Sequence, residues 1–247
     1  MTNESQFFLS HLGQTSPFPF LIEVDRAEGA YIFDKQGKAY LDMIAGVAVN
    51  NIGHRHPKVV QALREQLEKH LHVMVYGEFI QDAQQRMVRQ LLEVLPEPLN
   101  GVYVVNSGTE AIEAALKLAK RFTGRTELVA FKGSYHGSTH GAMSVSANEV
   151  KKIAFRPLLP DVRFLPHDDC SALQQITTRT AGVLIETIQG DAGVRRPSVD
   201  FMQALRARCS EVGALLILDE IQCGMGRAGS IFAFEQFQII PDILALG

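Results

Sequence analysis

The sequence predicts an α/β protein: a mainly parallel sheet covered by helices on both sides, preceded by a smaller, turn-rich α+β segment. Two observations carry this. Beyond about residue 100, short apolar runs alternate with helical stretches, and several runs are apolar on both faces, as strands buried inside a parallel sheet are. Before residue 50, apolar and polar residues instead alternate singly between turn signals, the pattern of an antiparallel meander.

Taken in order, "LIEVDRAEGAYIFDKQGKAYLDM" supplies the meander, with turns expected at Glu28-Gly29 and Gln36-Gly37. After "GHRHP" the period changes: Val59, Val60, Leu63 and Leu67 fall on one helical face, and Pro57 is placed to start that helix. A second helix is expected from Asp82 to Leu95, carrying Met87, Val88, Leu91 and Leu92. The expected strands are "GVYVV" (101–105), "ELVAF" (127–131), "VRFLP" (162–166), "GVLIE" (182–186), "LLILD" (215–219) and "DILAL" (242–246). Residues 1–56 are expected to form the N-terminal segment of a small domain, and residues 57–247 the N-terminal portion of a large, sheet-bearing one.

Composition narrows the function classes. Lys and Arg number 24 against 27 Asp and Glu, a net charge of -3 without like-charge runs, so nothing selects nucleic acid or an anionic membrane. A small-molecule partner is expected instead. The three cysteines, Cys170, Cys209 and Cys223, lack C-x-x-C spacing, which points to a reducing compartment and to neither a disulfide framework nor a zinc site. No apolar run approaches the roughly 18 residues of a membrane span, and a cytoplasmic location is expected. The pairs His54/His56 and His70/His72 have no Asp, Glu or Cys cluster beside them, so no metal is expected.

In an open parallel sheet, ligands gather outside the carboxyl ends of the strands. "GVYVV" is followed by "NSGTEAIEAALKLAKRF", where Ser107-Gly108-Thr109 opens a helix with Ile112, Ala115, Leu116 and Ala119 toward the sheet. Such a turn offers free backbone N–H groups, hydroxyls and the positive dipole end to a phosphate, and is also the form of an ordinary capped turn. It is neither G-x-x-x-x-G-K-[ST] nor G-x-G-x-x-G, which argues against ATP and NAD. Asp219 follows four apolar residues, where a carboxylate needs a cation or good hydrogen bonds; a protonated ring nitrogen of a cofactor would serve, and so would a structural cap. Tyr135 and His136 lie between Gly133 and Gly137, in a loop able to lay an aromatic ring on a planar ligand.

Together, "GHRHP" (53–57), "NSGTEA" (106–111), "GSYHG" (133–137), "ETIQGDAGV" (186–194), "LDEIQCGMGRAG" (218–229) and "PDILALG" (241–247) resemble the class III (subgroup II) pyridoxal-phosphate-dependent aminotransferases, which include the acetylornithine, ornithine and 4-aminobutyrate enzymes. The resemblance covers essentially the whole chain. It implies fold type I, pyridoxal 5'-phosphate as cofactor, an amino donor and a 2-oxo acid as substrates, and a homodimer with the active site at the interface. By the same resemblance Ser107, Gly108 and Thr109 hold the cofactor phosphate, and Tyr135 stacks on the ring with His136 beside it. Asp219 pairs with the ring nitrogen, Gln222 bonds the phenolic oxygen, and Glu186 lies toward the substrate.

The family's Schiff-base lysine follows a "PDI" strand and a small residue, the place of Gly247, so that lysine is expected immediately after Gly247, in a longer parent chain. Two departures bear on substrate choice: His136-Gly137-Ser138 stands where many relatives have "HGR", and Asp191 stands where they commonly have Glu. Serine cannot clamp a carboxylate as arginine does. The alternatives are a non-catalytic cofactor-binding or interaction module, and decarboxylation, racemisation or amino-group migration on the same site.

Overall fold

The computed structural model describes residues 2–74 and 77–247. The chain divides into two compact units, Met1–Glu78 and Phe79–Gly247. The first unit contains the meander. Strands β1 (Val24–Glu28), β2 (Tyr31–Asp34) and β3 (Ala39–Leu41) pair antiparallel in that order. The turns fall at the two expected glycines, Gly29 (φ 55°) and Gly37 (φ 81°), where a side chain would be strained. Asp34 ties the second turn: its carboxylate accepts from the N–H groups of Gln36 and Lys38 and from the Tyr40 hydroxyl. Helix α1 (Asn3–His11) precedes the meander; the one-turn α2 (Ala45–Ala48) and α3 (Pro57–Leu67) follow, with Pro57 at the helix start as read. The unit boundary thus lies after Glu78 and groups α3 with the meander rather than with the sheet domain.

The second unit is built on a five-stranded sheet, ordered β5-β4-β6-β7-β8, every pair parallel. The strands are β4 (Glu127–Phe131), β5 (Val162–Leu165), β6 (Thr180–Glu186), β7 (Leu215–Glu220) and β8 (Ile243–Leu246). Residues in β4 and β6 are buried throughout because helices cover both faces. One face packs Ile112, Ala115, Leu116 and Ala119 of α5 (Gly108–Thr123) with Ala142 and Val145 of α6 (His140–Val145) against Leu184, Ile217 and Ala245. The other packs Phe201, Met202 and Leu205 of α8 (Val199–Val212) against Val183, Ile185, Leu216 and Leu218. Helix α4 (Asp82–Leu92) and the short α7 (Glu149–Lys152) complete the unit.

One expected strand is not in the sheet. Residues 101–105 form no ladder, and Val102, Tyr103 and Val104 are exposed. Their apolar pattern is that of a strand, but β8, the sheet edge, is not bonded to them; both segments line one cavity of about 880 Å³. An apolar run becomes a strand only with a backbone partner at ladder distance, about 4.8 Å away, and no described strand stands there.

Candidate active site

Strand parity and register assemble the site. Side chains alternate between faces along a strand, and Leu184, Ile217 and Ala245 pack on the α5 side. Two residues beyond Leu184 and Ile217, Glu186 and Asp219 therefore face α5 as well. In the parallel register Glu186 sits opposite Asp219, and Asp219 opposite Ala245, in one row at the carboxyl ends of three strands. Glu220, one residue on, turns to the opposite face. There its carboxylate accepts from the Thr187 hydroxyl (2.9 Å) and the N–H groups of Ala233 and Phe234 (2.7 Å each), anchoring the turn of 3-10 helix Ala233–Phe237.

Asp219 is 6% exposed and accepts two hydrogen bonds. Its Oδ1 takes the Ile221 N–H at 3.1 Å, and its Oδ2 meets His136 Nδ1 at 2.7 Å. The His136 ring is completely buried, and its Nε2 has no hydrogen-bond partner among the described residues. The His136 N–H is held in turn by Ser146 Oγ at 2.9 Å. The imidazole is thus held at Nδ1 by Asp219 and the His136 backbone by Ser146, and the carboxylate keeps accepting capacity for a further donor.

The Ser107-Gly108-Thr109 turn opens α5. Ser107 is the N-cap, with its hydroxyl accepting from the Glu110 N–H, so the first amides of a sixteen-residue helix point outward without intrahelical acceptors. Three close approaches leave no room for a Cβ. At Gly108 one would lie 2.9 Å from Ile221 Cγ2; at Gly137 it would run into the Thr109 hydroxyl; at Gly190 it would run into the Gln222 amide. The phosphate-type turn, the Tyr135 loop, the Asp219 strand end and the turn at 190 are therefore one cluster. That donor set is chemically suited to pyridoxal phosphate: helix-start amides and hydroxyls for a phosphate, a buried carboxylate for a ring cation, and a half-exposed tyrosine ring.

Glu186 ties two of these pieces together, accepting from the Tyr135 N–H (2.9 Å) and the Gly190 N–H (3.1 Å). Burial pushes its carboxyl above the ordinary value, opposed by the neighbouring His136 and the Tyr135 N–H and reinforced by Asp219. Burial likewise raises Glu220, against the lowering effect of its hydrogen bonds.

Sequence reasoning missed a polar strut beside the site. Glu113 Oε1 accepts from Thr139 Oγ1 (2.6 Å) and from the N–H groups of Gly141 (2.8 Å) and Ala142 (3.1 Å), capping α6. Thr139 Oγ1 also meets Thr109 Oγ1 at 2.7 Å. The available signal was a glutamate next to Ile112 and four residues after Thr109, on the side of α5 that otherwise carries buried apolar residues.

Comparison with known proteins agrees with this geometry. The family model described as Aminotransferase class-III matches residues 13–247. Acetylornithine aminotransferase of Methanopyrus kandleri is 43% identical over 237 residues, covering 96% of this chain and 60% of that protein. A [LysW]-aminoadipate semialdehyde/glutamate semialdehyde transaminase of Sulfurisphaera tokodaii is 39% identical over 226 residues, covering 92% and 58%. Among solved structures, an ornithine aminotransferase from Toxoplasma gondii, described with partial occupancy of PLP at its active site, superposes with a TM-score of 0.88. It is 30% identical and covers 100% of this chain and 60% of that one. The chain thus spans about 60% of the length of these relatives, and its fold is fold type I. By the match over residues 13–247 and the identity to these relatives, the chain belongs to the class-III aminotransferases.

Proposed function

We propose that the protein catalyses pyridoxal-phosphate-dependent transfer of an amino group from an amino acid or ω-amine to a 2-oxo acid. The observation that carries this is Asp219: a buried carboxylate at the end of β7, oriented by His136, in one cluster with the helix-start turn at Ser107. The N–H groups of Gly108 and Thr109 and the Ser107 hydroxyl bind the cofactor phosphate. Tyr135, 42% exposed, offers its ring to the cofactor ring, and Gln222 bonds the phenolic oxygen. Asp219 holds a proton on the ring nitrogen, and His136 fixes the rotamer of Asp219. Glu186 holds the Tyr135 loop and the turn at Gly190 in place on the substrate side.

When bound, pyridoxal phosphate supplies a protonated ring that withdraws electrons from the carbon bearing the substrate nitrogen. By the resemblance, the Schiff-base lysine lies just beyond β8, whose Ala245 stands opposite Asp219 in the register. There it would move the proton at that carbon. The named relatives are aminotransferases and transaminases, which favours amino transfer over decarboxylation, racemisation or amino-group migration. Location in the cytoplasm and a homodimer with the site at the interface complete the reading. Large apolar side chains left exposed in the first unit, Phe18 (85%), Phe20 (80%) and Met43 (84%), support association.

The test is a screen of amino donors against 2-oxoglutarate and pyruvate with the full-length protein, with and without added pyridoxal phosphate. Cofactor-dependent formation of a new amino acid is expected. Carbon dioxide release or inversion of the donor without keto-acid turnover would contradict amino transfer.

A further inference from the structure

We propose that Glu113 is a positioning residue of the cofactor site: through Thr139 it commits the Thr109 hydroxyl to the Tyr135 loop, fixing that loop to the phosphate turn. This rests on the pyridoxal-phosphate reading of the same site. A hydroxyl has one proton to give, and Thr139 Oγ1 gives its proton to Glu113 Oε1 at 2.6 Å. The 2.7 Å contact between the Thr109 and Thr139 hydroxyls is therefore a donation from Thr109. Thr109 Oγ1 also accepts from the Thr139 N–H at 3.3 Å. What Thr109 offers a phosphate is then its backbone N–H, not its hydroxyl proton. Ser107 differs: its hydroxyl accepts from the Glu110 N–H at 3.3 Å, and among the described residues none takes its proton.

The loop needs such a tie. It turns at Gly133 (φ 85°) and Gly137 (φ 122°), and Tyr135, Ser138 and Thr139 are exposed. Two carboxylates from different elements hold it. Glu186 of β6 accepts from the Tyr135 N–H at 2.9 Å, and Glu113 of α5 holds Thr139, four residues on. Glu113 is itself fixed. Its Oε1 also accepts from the Gly141 and Ala142 N–H groups, and its Oε2 lies where a Cβ on Gly141 would be. Thr109 leaves no room for a Cβ on Gly137, so the loop and the helix start are in contact beside the hydroxyl chain.

This tie acts on one class of ligand only. A ligand with both a ring and a phosphate gains from two subsites at once when they already stand at the right separation. If the loop is loose, part of its binding energy is spent on ordering the loop. Inorganic phosphate occupies the turn alone and does not meet that cost. Releasing Thr139 from Glu113 also frees the Thr109 proton, since Thr139 can then donate in its place, and that proton can turn to the phosphate. Loss of Glu113 thus sets the two ligands apart, weakening the larger and sparing the smaller.

The test is calorimetric titration of the full-length apo enzyme with pyridoxal 5'-phosphate and, separately, with inorganic phosphate. Glu113→Ala should weaken pyridoxal phosphate about tenfold or more, the loss of charge-assisted hydrogen bonds, while inorganic phosphate binds at least as tightly as to the parent. Glu113→Gln, whose amide oxygen still accepts from Thr139, should restore cofactor affinity. Thr139→Val leaves Glu113 on the Gly141 and Ala142 amides, so α6 stays capped, and it should reproduce the Glu113→Ala pattern. The double variant should bind the cofactor no more weakly than Glu113→Ala alone. Equal weakening of both ligands, as a merely structural lesion gives, would overturn the proposal. So would additive losses in the double variant, cofactor affinity unchanged in Glu113→Ala, or a parent enzyme that takes up no inorganic phosphate; each leaves the cofactor reading standing. A parent enzyme that binds no pyridoxal phosphate would remove that reading, and this proposal with it.

Discussion

Asp219 follows four apolar residues of β7, and its carboxylate accepts from the Ile221 N–H and meets His136 Nδ1. Its cost in a buried position is the reason to expect a cationic ligand. Replacing it, Asp219→Asn, should weaken pyridoxal phosphate by about 2–5 kcal/mol, the cost of removing one member of a buried charged pair. A fluorescence titration of the apo protein checks this, with unchanged affinity as the contrary result. Gly137 tests the clustering of the site. It has φ 122° and no room for a Cβ beside Thr109, whereas Gly124 has φ 68° and open space around it. Gly124→Ala should cost about 1–2 kcal/mol of stability from backbone strain alone. Gly137→Ala should cost more and also lower cofactor affinity, as denaturant unfolding and the same titration would show. Among individual residues, those adjacent to a motif were legible in the sequence: Asp219 from its apolar strand, Ser107 from its helix start, Tyr135 from its flanking glycines. Glu113 and Thr139 were not, because their partners lie 26 and 30 positions away and only the fold brings them together.

At the level of elements, parity divides two adjacent acids into different roles. Asp219 faces α5 and the site; Glu220 faces away and anchors residues 233–237. The periodicity of α5 was read correctly, since Ile112, Ala115, Leu116 and Ala119 are its buried residues. Residues 101–105 show the limit of such reading. Alternation and apolarity describe what a segment can do, while a ladder needs a partner that lies elsewhere in the chain. The row of acids at the strand ends also has a pH signature. The Glu186 carboxyl is raised by burial above its ordinary 4.5. Between that unfolded value and the higher folded one, the folded protein holds a proton that the unfolded chain has released. Stability of the apo protein should therefore fall as pH rises through this window. Glu186→Gln should flatten the fall, as urea titrations at successive pH values would show; an unaltered slope would mean that Glu186 titrates alike in both states.

For the molecule as a whole, fold class was the most legible property, because alternating buried strands and amphipathic helices constrain topology more than any one residue does. Helix α3 falls with the meander in the unit Met1–Glu78. A homodimer, with the exposed aromatic side chains of the first unit covered, should show twice the monomer mass by light scattering of the full-length protein. The most direct test of the functional reading lies at the ring nitrogen that Asp219 is proposed to hold. With pyridoxal phosphate labelled by ¹⁵N at that atom and bound to the full-length enzyme, the nitrogen resonance should report a protonated pyridinium near neutral pH in the parent protein and a neutral pyridine in Asp219→Asn. A neutral pyridine in both proteins would contradict the role assigned to Asp219 and, with it, the mechanism built on that carboxylate.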